Sequence, residues 1–337
     1  MRAALNGHFL AESEFTAWQS VVEGSAQGSV YANPAYLQAL CEASGGNFRI
    51  LVARRDDEIL GGIALYERRI GSSLRVSPRP LLYYNGIVLR ESTTKYPSQQ
   101  TSRLLEVSTA LEAALAGAGY ESIALKNRSS FADARVFMAH GWSVRPGYSY
   151  VVPIADLRTA WDRVEQNLRR LVKRCTSEGL QLSEDDDFES FWRMHAATTE
   201  RKGTDMYLPQ AAFERFFSTL RGLGLCRLYH ARLQNGQSIS AQLVMLGKHS
   251  VAHAVSAAAD PAYLNTGATA FLRWKVFEAL SALGYAANDL TDAALNSVAH
   301  FKSQLGGNLE ICLVFEKTGR QPSWTQRIRT AIASRLG

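Results

Sequence analysis

The chain has 337 residues, 46% of them apolar and 20% charged, a composition that builds a packed core and excludes a disordered polymer. Its net charge of +6, from 37 basic and 31 acidic residues, favours an anionic partner only mildly: nucleotide phosphates, a lipid-linked phosphate, an anionic membrane surface and tRNA all fit. The longest apolar runs, "ALAGAG" and "AHAVSAAA" among them, fall short of the roughly 18 to 20 residues that cross a bilayer.

The first residues, "MRAALNGHFLAESEF", carry no apolar stretch of signal-peptide length, so a cytoplasmic protein is expected. "FRILVARRDDEILGGIALYERR" reads as strand, polar turn and strand. In "RPLLYYNGIVL", Tyr83, Tyr84, Asn85 and Gly86 interrupt an apolar, strand-like run; a bulge or tight turn at Asn85-Gly86 with rim tyrosines explains these letters. "LEAALAGAGYESIALKNRSSFADARVFMAHGWSV" then predicts helix, glycine, strand, loop, helix, glycine and strand. A linker is expected near "VVPIADLRTAW", where Pro153 interrupts a strand.

Residues 157 to about 220 read as helices. In "LRTAWDRVEQNLRRLVKRCTSEG", Trp161, Val164, Leu168, Leu171, Val172 and Cys175 form an apolar stripe closed by Gly179. Arg170, Lys173 and Arg174 lie opposite, a pattern that is usually a solvated face. Arg201 and Lys202 in "TTERKG" are a second basic pair. "CRLYHARLQNGQSISAQLVML" repeats the hairpin pattern. In "NTGATAFLRW" a helix begins at a glycine; exposed N–H groups there can hold phosphate, and a helix capped by Thr266 or Asn265 fits equally well. The tail "SWTQRIRTAIASRLG" is a basic amphipathic helix, suited either to an anionic membrane surface or to docking on the protein.

The chain repeats itself. "FEALSALGYAANDLTDAALNSVAHFKSQLGGNLEI" echoes the segment from Leu111, and Gly119 to Gly141 and Gly284 to Gly306 are both separations of 22 residues. A hairpin precedes each copy, which implies two pseudo-symmetric α/β modules. Aligning the glycines sets Lys302 opposite Phe137, Phe301 opposite Val136 and Asp289 opposite Ala124. A helix over 296–305 would place Val298, Phe301, Lys302 and Leu305 on one buried face. An ammonium there must reach a carboxylate, a ligand or water, and a snorkelling side chain meets that need without any function. Asp292 suits an Asx-turn or cap, whereas Asp289 ends a core strand and can orient or deprotonate an amine.

Cys41, Cys175, Cys226 and Cys312 are scattered, the reading being four buried thiols. The histidines show no metal-ligand spacing, and no GxSxG elbow occurs, so direct transfer without a covalent enzyme intermediate is the simpler chemistry.

"NLRRLVKRCTSEGL", "TTERKGTD", "GATAFLRWKVFEALSALGYAANDL" and above all "HFKSQLGG" resemble the FemAB-like branch of the GNAT acyltransferase superfamily, which holds peptidoglycan bridge-forming aminoacyltransferases and polysaccharide-associated acetyltransferase relatives. The resemblance runs from about residue 29 to 317. It implies an α/β (α+β) fold with a tandem pair of GNAT-like domains, mixed sheets flanked by helices: 1–155, then 156–319 with a helical insertion at 157–222 and the active site, then the helix 320–337. It also implies an acyl or aminoacyl transferase acting on an amine of a cell-envelope precursor, an amino sugar, polysaccharide or peptidoglycan intermediate. No bound cofactor is implied, only aminoacyl-tRNA or acyl-CoA as co-substrate.

Carried over residue by residue, the resemblance makes Lys302 a stabiliser of charge on the reacting carbonyl and puts Phe301, Arg170, Lys173, Tyr84 and Asn85 at the acceptor; Arg201, with Lys202, either joins that acceptor patch or is a surface charge with no partner. Asp289 joins Lys302 as catalytic. Thr266, Gly267 and Ala268 become the donor site, although only Gly267 survives of the usual acyl-CoA loop. The long helical arm of peptidoglycan transferases is missing between 157 and 220. An anionic nucleotide- or lipid-linked acceptor, tRNA, and peripheral contact of 320–337 with the inner membrane are the expected partners. An acyl-CoA-dependent N-acetyltransferase and a non-catalytic GNAT-like scaffold are the alternatives.

Overall fold

The computed structural model describes residues 5–295 and 297–318. In chain order the first part holds β1 (Asn6–Phe9), α1 (Phe15–Glu23), α2 (Pro34–Ser44), β2 (Asn47–Arg55), β3 (Glu58–Ile70), β4 (Ser73–Val76), β5 (Ile87–Leu89), α3 (Pro97–Gly117), β6 (Ser122–Lys126), α4 (Arg135–Ala139) and β7 (Ser143–Pro153). There follow α5 (Leu157–Arg163), α6 (Gln166–Ser177), β8 (Gln181–Glu184), α7 (Phe188–Lys202) and α8 (Gln210–Gly222). The last part holds β9 (Cys226–Arg232), β10 (Ser238–Met245), β11 (Val251–Ala259), α9 (Ala268–Ala282), β12 (Ala287–Asp289), α10 (Ser297–Gln304) and β13 (Asn308–Thr318).

The four glycines that mark the repeat all take positive φ, +74° and +77° at Gly119 and Gly141, +88° and +83° at Gly284 and Gly306. Each ends a helix in the left-handed conformation that residues with a Cβ resist. The expected hairpins are β2/β3 and β9/β10, both antiparallel. Each copy also contains one parallel pair, β4/β6 in the first and β11/β12 in the second.

The two copies share one mixed sheet of thirteen strands, ordered β1-β2-β3-β4-β6-β13-β7-β12-β11-β10-β9-β8 with β5 paired to β3. The final strand of each copy lies in the other's half: β13 pairs with β6, and β7 with β12. β7 and β13 then pair with each other from Asn308↔Val151 to Glu316↔Ser143. A cut at residue 155 therefore divides the chain without separating the two halves. Phe315, from the end of β13, fills the first half's core with its ring 4.7 Å from Phe137. A further cluster joins the halves through α2 and α8, where Tyr36 meets Phe216 edge to face at 5.7 Å.

Two local expectations need correction. The single helix expected from Leu157 to Gly179 is two, because Val164 and Glu165 are extended (ψ +134° and +142°) and break it; the 157–222 region also contributes the edge strand β8. The strand-like run at "RPLLYYNGIVL" is irregular until β5 begins at Ile87. Among the described residues no helix is long and apolar enough to cross a membrane. The C-terminal segment 320–337 lies outside them.

Candidate active site

β11 and β12 run parallel only from Val251↔Ala287 to His253↔Asp289 and then part. Thr291 Oγ1 donates across the start of the gap to the Ala254 carbonyl at 2.9 Å. Beyond it opens a cleft of about 360 Å³, bounded by α7, α9, β11 and the segment leading from β12 into α10. Its chemistry-bearing lining includes Tyr83, His195, Lys202, Ser256, Arg273, Asp292 and Lys302.

Lys302 sits in the last turn of α10, four residues before Gly306. Its Nζ donates to the carbonyl of Thr291, and at 2.6 Å to that of Asp292. Thr291 and Asp292 turn these carbonyls inward by taking φ of +48° and +50° in succession, a conformation that costs non-glycine residues of order 1 to 3 kcal/mol each and gathers at functional sites. Burial first, and then the nearby Arg273 guanidinium, pull the Lys302 ammonium down from its usual range to about 8. The face predicted for α10 is only partly correct. Leu305 is buried and Phe301 packs half-buried on the second-half core, but Val298 is 36% exposed and lines the cleft.

Arg273 is 7% exposed, and its Nε and Nη1 are enclosed with no hydrogen-bond partner among the described residues. Burial pulls its guanidinium down to about 10. Burial, Arg201 and Arg273 likewise depress Lys202. His195 is 4% exposed; burial, with Lys202 behind it, pulls its imidazole down to about 4. Its Nδ1 is 3.2 Å from Ser256 Oγ, and its Nε2 has no hydrogen-bond partner among the described residues. The cleft thus combines three cations with one neutral imidazole and, at its rim, the Asp292 carboxylate.

Asp289 stands apart from this lining. It is 2% exposed and accepts hydrogen bonds from Tyr84 Oη at 2.8 Å, from Ser149 Oγ and from the Thr291 N–H at 2.8 Å, with His253 Nδ1 at 3.4 Å. Burial would raise its carboxyl, but His253, Ser149 and Tyr84 outweigh burial and hold it well below the usual carboxylate range. So saturated a carboxylate is a poor base, and its place is structural: it ties β12 to β7 and to the Tyr84 segment.

Tyr84 and Asn85 are buried as well, contrary to the expectation of acceptor contacts. Asn85 is spent on β6, donating to the Ala124 carbonyl at 2.9 Å and accepting from the Lys126 N–H at 2.8 Å. Tyr83, one residue earlier, is the tyrosine that reaches the cleft, its Oη donating to the Val255 carbonyl at 3.2 Å. Arg170 and Lys173 are exposed on α6 and outside the cleft lining, and so is Arg201, whose neighbour Lys202 reaches it.

At the expected donor site, Gly267 has φ +89°, and a Cβ there would meet Leu171 of α6 at 3.0 Å. The Thr266 carbonyl accepts from Arg174 at 2.5 Å, Thr266 Oγ1 lies 3.3 Å from the Ala268 N–H, and Ala268 is buried. The close approach that this glycine permits is made by α6. Asp185, Asp187 and His230 also come together, but the Arg232 guanidinium holds both carboxylates, at 3.0 and 2.8 Å.

His195, Arg273 and Ser256 were not singled out from the sequence, and Lys202 and Tyr83 were noted only beside Arg201 and Tyr84. The repeat held the signal for Arg273, since the alignment that flags Lys302 sets Arg273 opposite Ser108. His195 lies four residues after Phe191 on the buried face of α7.

With this geometry in hand, the comparisons define the fold. Residues 162–303 match the family described as acetyltransferase (GNAT) domain, and the two copies together carry the tandem GNAT fold. FemX shares it at a TM-score of 0.72 and 13% identity, over 95% of this chain and 99% of that one. The C-terminal domain of a putative lysylphosphatidylglycerol synthetase from Agrobacterium fabrum superposes at 0.59 and 14% identity, over 89% and 93%. A tandem GNAT protein from the clavulanic acid biosynthesis pathway superposes at 0.54 and 12%, over 94% and 100%. No curated protein matches the chain in sequence.

Proposed function

We propose that this chain is an acyl or aminoacyl transferase that acylates an amine on a cell-envelope precursor, an amino sugar, polysaccharide or peptidoglycan intermediate, with the cleft around Lys302 as its reaction centre. The observation that carries the reading is Lys302 itself: an ammonium set into the wall of the cleft where the first copy has the sealed Phe137. The amine lone pair attacks the activated carbonyl carbon, a C–N bond forms, and the carbonyl electron pair moves onto oxygen. Lys302, with two N–H groups fixed by backbone carbonyls, turns its third toward that oxyanion; donors fixed in advance stabilise such charge most effectively. Collapse expels the thiolate or ribose oxygen of the donor. His195, neutral and with Nε2 unpartnered, is better suited than Asp289 to take the proton that nitrogen loses.

The fold shared with FemX and with a domain of a lysylphosphatidylglycerol synthetase supports envelope chemistry and an acceptor that is lipid-linked or peptidic. The description of residues 162–303 as an acetyltransferase domain supports the second reading, an acyl-CoA-dependent N-acetyltransferase of a small amine or sugar nucleotide. In either case the protein works in the cytoplasm, and the tail 320–337 brings it to the inner face of the membrane.

The test is mass spectrometry of acceptor mixtures, amino-sugar nucleotides and peptidoglycan precursors, incubated with the protein and either acetyl-CoA or charged tRNA. A single acylated product formed with charged tRNA supports the first reading, and one formed with acetyl-CoA the second. No product with any donor overturns both in favour of a binding protein. Sedimentation with anionic liposomes, with and without residues 321–337, tests the membrane contact.

A further inference from the structure

The transfer step leaves Arg273 unused. The helix that carries it is apolar nearly all round, with Phe271, Leu272, Trp274, Val276 and Phe277 buried, so nothing among the described residues around it explains a guanidinium. An unpaired buried cation costs several kcal/mol, and proteins ordinarily meet one with a carboxylate. Among the described residues, Lys202, Arg273 and Lys302 face a single lining carboxylate in the cleft, Asp292. That carboxylate is 61% exposed at the rim and lies 3.9 Å from Lys126. Two of Lys302's donors are committed to backbone carbonyls. Asp292 and Asp289 act on Lys302, so among the described residues it is the charge of Arg273 and Lys202 that is left for a ligand to balance.

We propose that Arg273 and Lys202, flanking Lys302, form a subsite for an oxyanion group, a carboxylate or phosphate, that the substrate carries near its reacting centre. The forked donors of a guanidinium match two oxygens of such a group, and charge assistance makes those bonds strong. The enclosed position of Arg273 keeps water from competing. The proposal rests on the reading of the cleft as the substrate site, but its test needs no turnover. It narrows the substrate to molecules that bear an anion close to the reacting amine or acyl group. Neutral amines and uncharged sugars are excluded.

The experiment uses the full chain and two probes, inorganic phosphate and acetate, each titrated against thermal unfolding at constant ionic strength with chloride as the reference salt. A ligand that binds only the folded state raises Tm with its concentration. Wild type is expected to gain Tm beyond the chloride reference. Phosphate acting more strongly than acetate assigns a phosphate ester, and the reverse assigns a carboxylate. Arg273→Met is expected to weaken the response roughly tenfold or more in apparent affinity, and Lys202→Gln, at an exposed position that tolerates change, by a smaller factor. No response beyond chloride in wild type, or an undiminished response in Arg273→Met, overturns the proposal. Should Arg273→Met not fold, an undiminished response in Lys202→Gln overturns it instead. With no acyl donor present, failure here leaves the transfer reading intact, and failure of transfer leaves this subsite intact.

Discussion

Helices α4 and α10 hold the same place in the two copies, each ending at a positive-φ glycine before an exchanged strand. Four residues before that glycine α4 has Phe137, fully buried between Trp142 at 5.2 Å and Phe315 at 4.7 Å. At the matching position α10 has Lys302, which reaches back to two strained carbonyls at the edge of the cleft. The same frame thus closes a core in one half and opens a polar site in the other. What distinguishes them is a partner: the first copy supplies only rings, the second supplies oxygen atoms.

The difference can be broken from either side. The largest effect is expected for Phe137→Lys. Losing a buried phenyl ring costs about 3 to 5 kcal/mol, and an unpaired ammonium in its place adds several more, so denaturant titration should find little or no folded protein. A loss below about 2 kcal/mol, as in a tolerated substitution, would mean that α4 can also bring an ammonium to water.

Asp289 sharpens the same contrast, because the first copy has Ala124 in its place. Asp289→Asn is expected to cost about 3 kcal/mol at neutral pH by breaking a buried, fully donated carboxylate. The carboxyl is depressed in the folded state, so its stabilisation is present above the unfolded value near pH 4 and fades as pH falls toward the folded one. The gap between wild type and Asp289→Asn should narrow in acid; a gap constant with pH would show that the charge is not what matters.

The helix-end glycines give the smallest effect. At Gly141 nothing lies within 4 Å of an added Cβ, whereas at Gly306 Arg163 Cβ would be 2.9 Å away and its backbone carbon 3.1 Å. Both alanine variants force a left-handed residue, at about 1 to 2 kcal/mol, and Gly306→Ala should lose more than Gly141→Ala. Equal losses in paired unfolding curves would mean that α5 yields.

The repeat was legible because its punctuation is local: helix-ending glycines at matched spacing, each copy preceded by a hairpin. Strand exchange was not, since β13 pairs equally well in pattern with either half and only long-range packing, Phe315 against Phe137, decides. Lys302 was legible as a cation in an apolar stripe. The burial of Asp289 was not legible, because its partners Tyr84 and Ser149 come from segments 205 and 140 residues distant, and no spacing rule links them. Tyr83 and Tyr84 look alike in sequence, and the irregular backbone before β5 sends one to the cleft and the other to the core.

The most direct test of the account is the pH–rate profile of acyl transfer by wild type and Lys302→Met, taken alongside their melting temperatures. If the ammonium stabilises the oxyanion, Lys302→Met should fold with an undiminished Tm and lose about 100-fold or more in rate. The wild-type rate should fall as pH rises through about 8, where burial and Arg273 have set this lysine. A Lys302→Met protein that transfers at the wild-type rate would contradict the account.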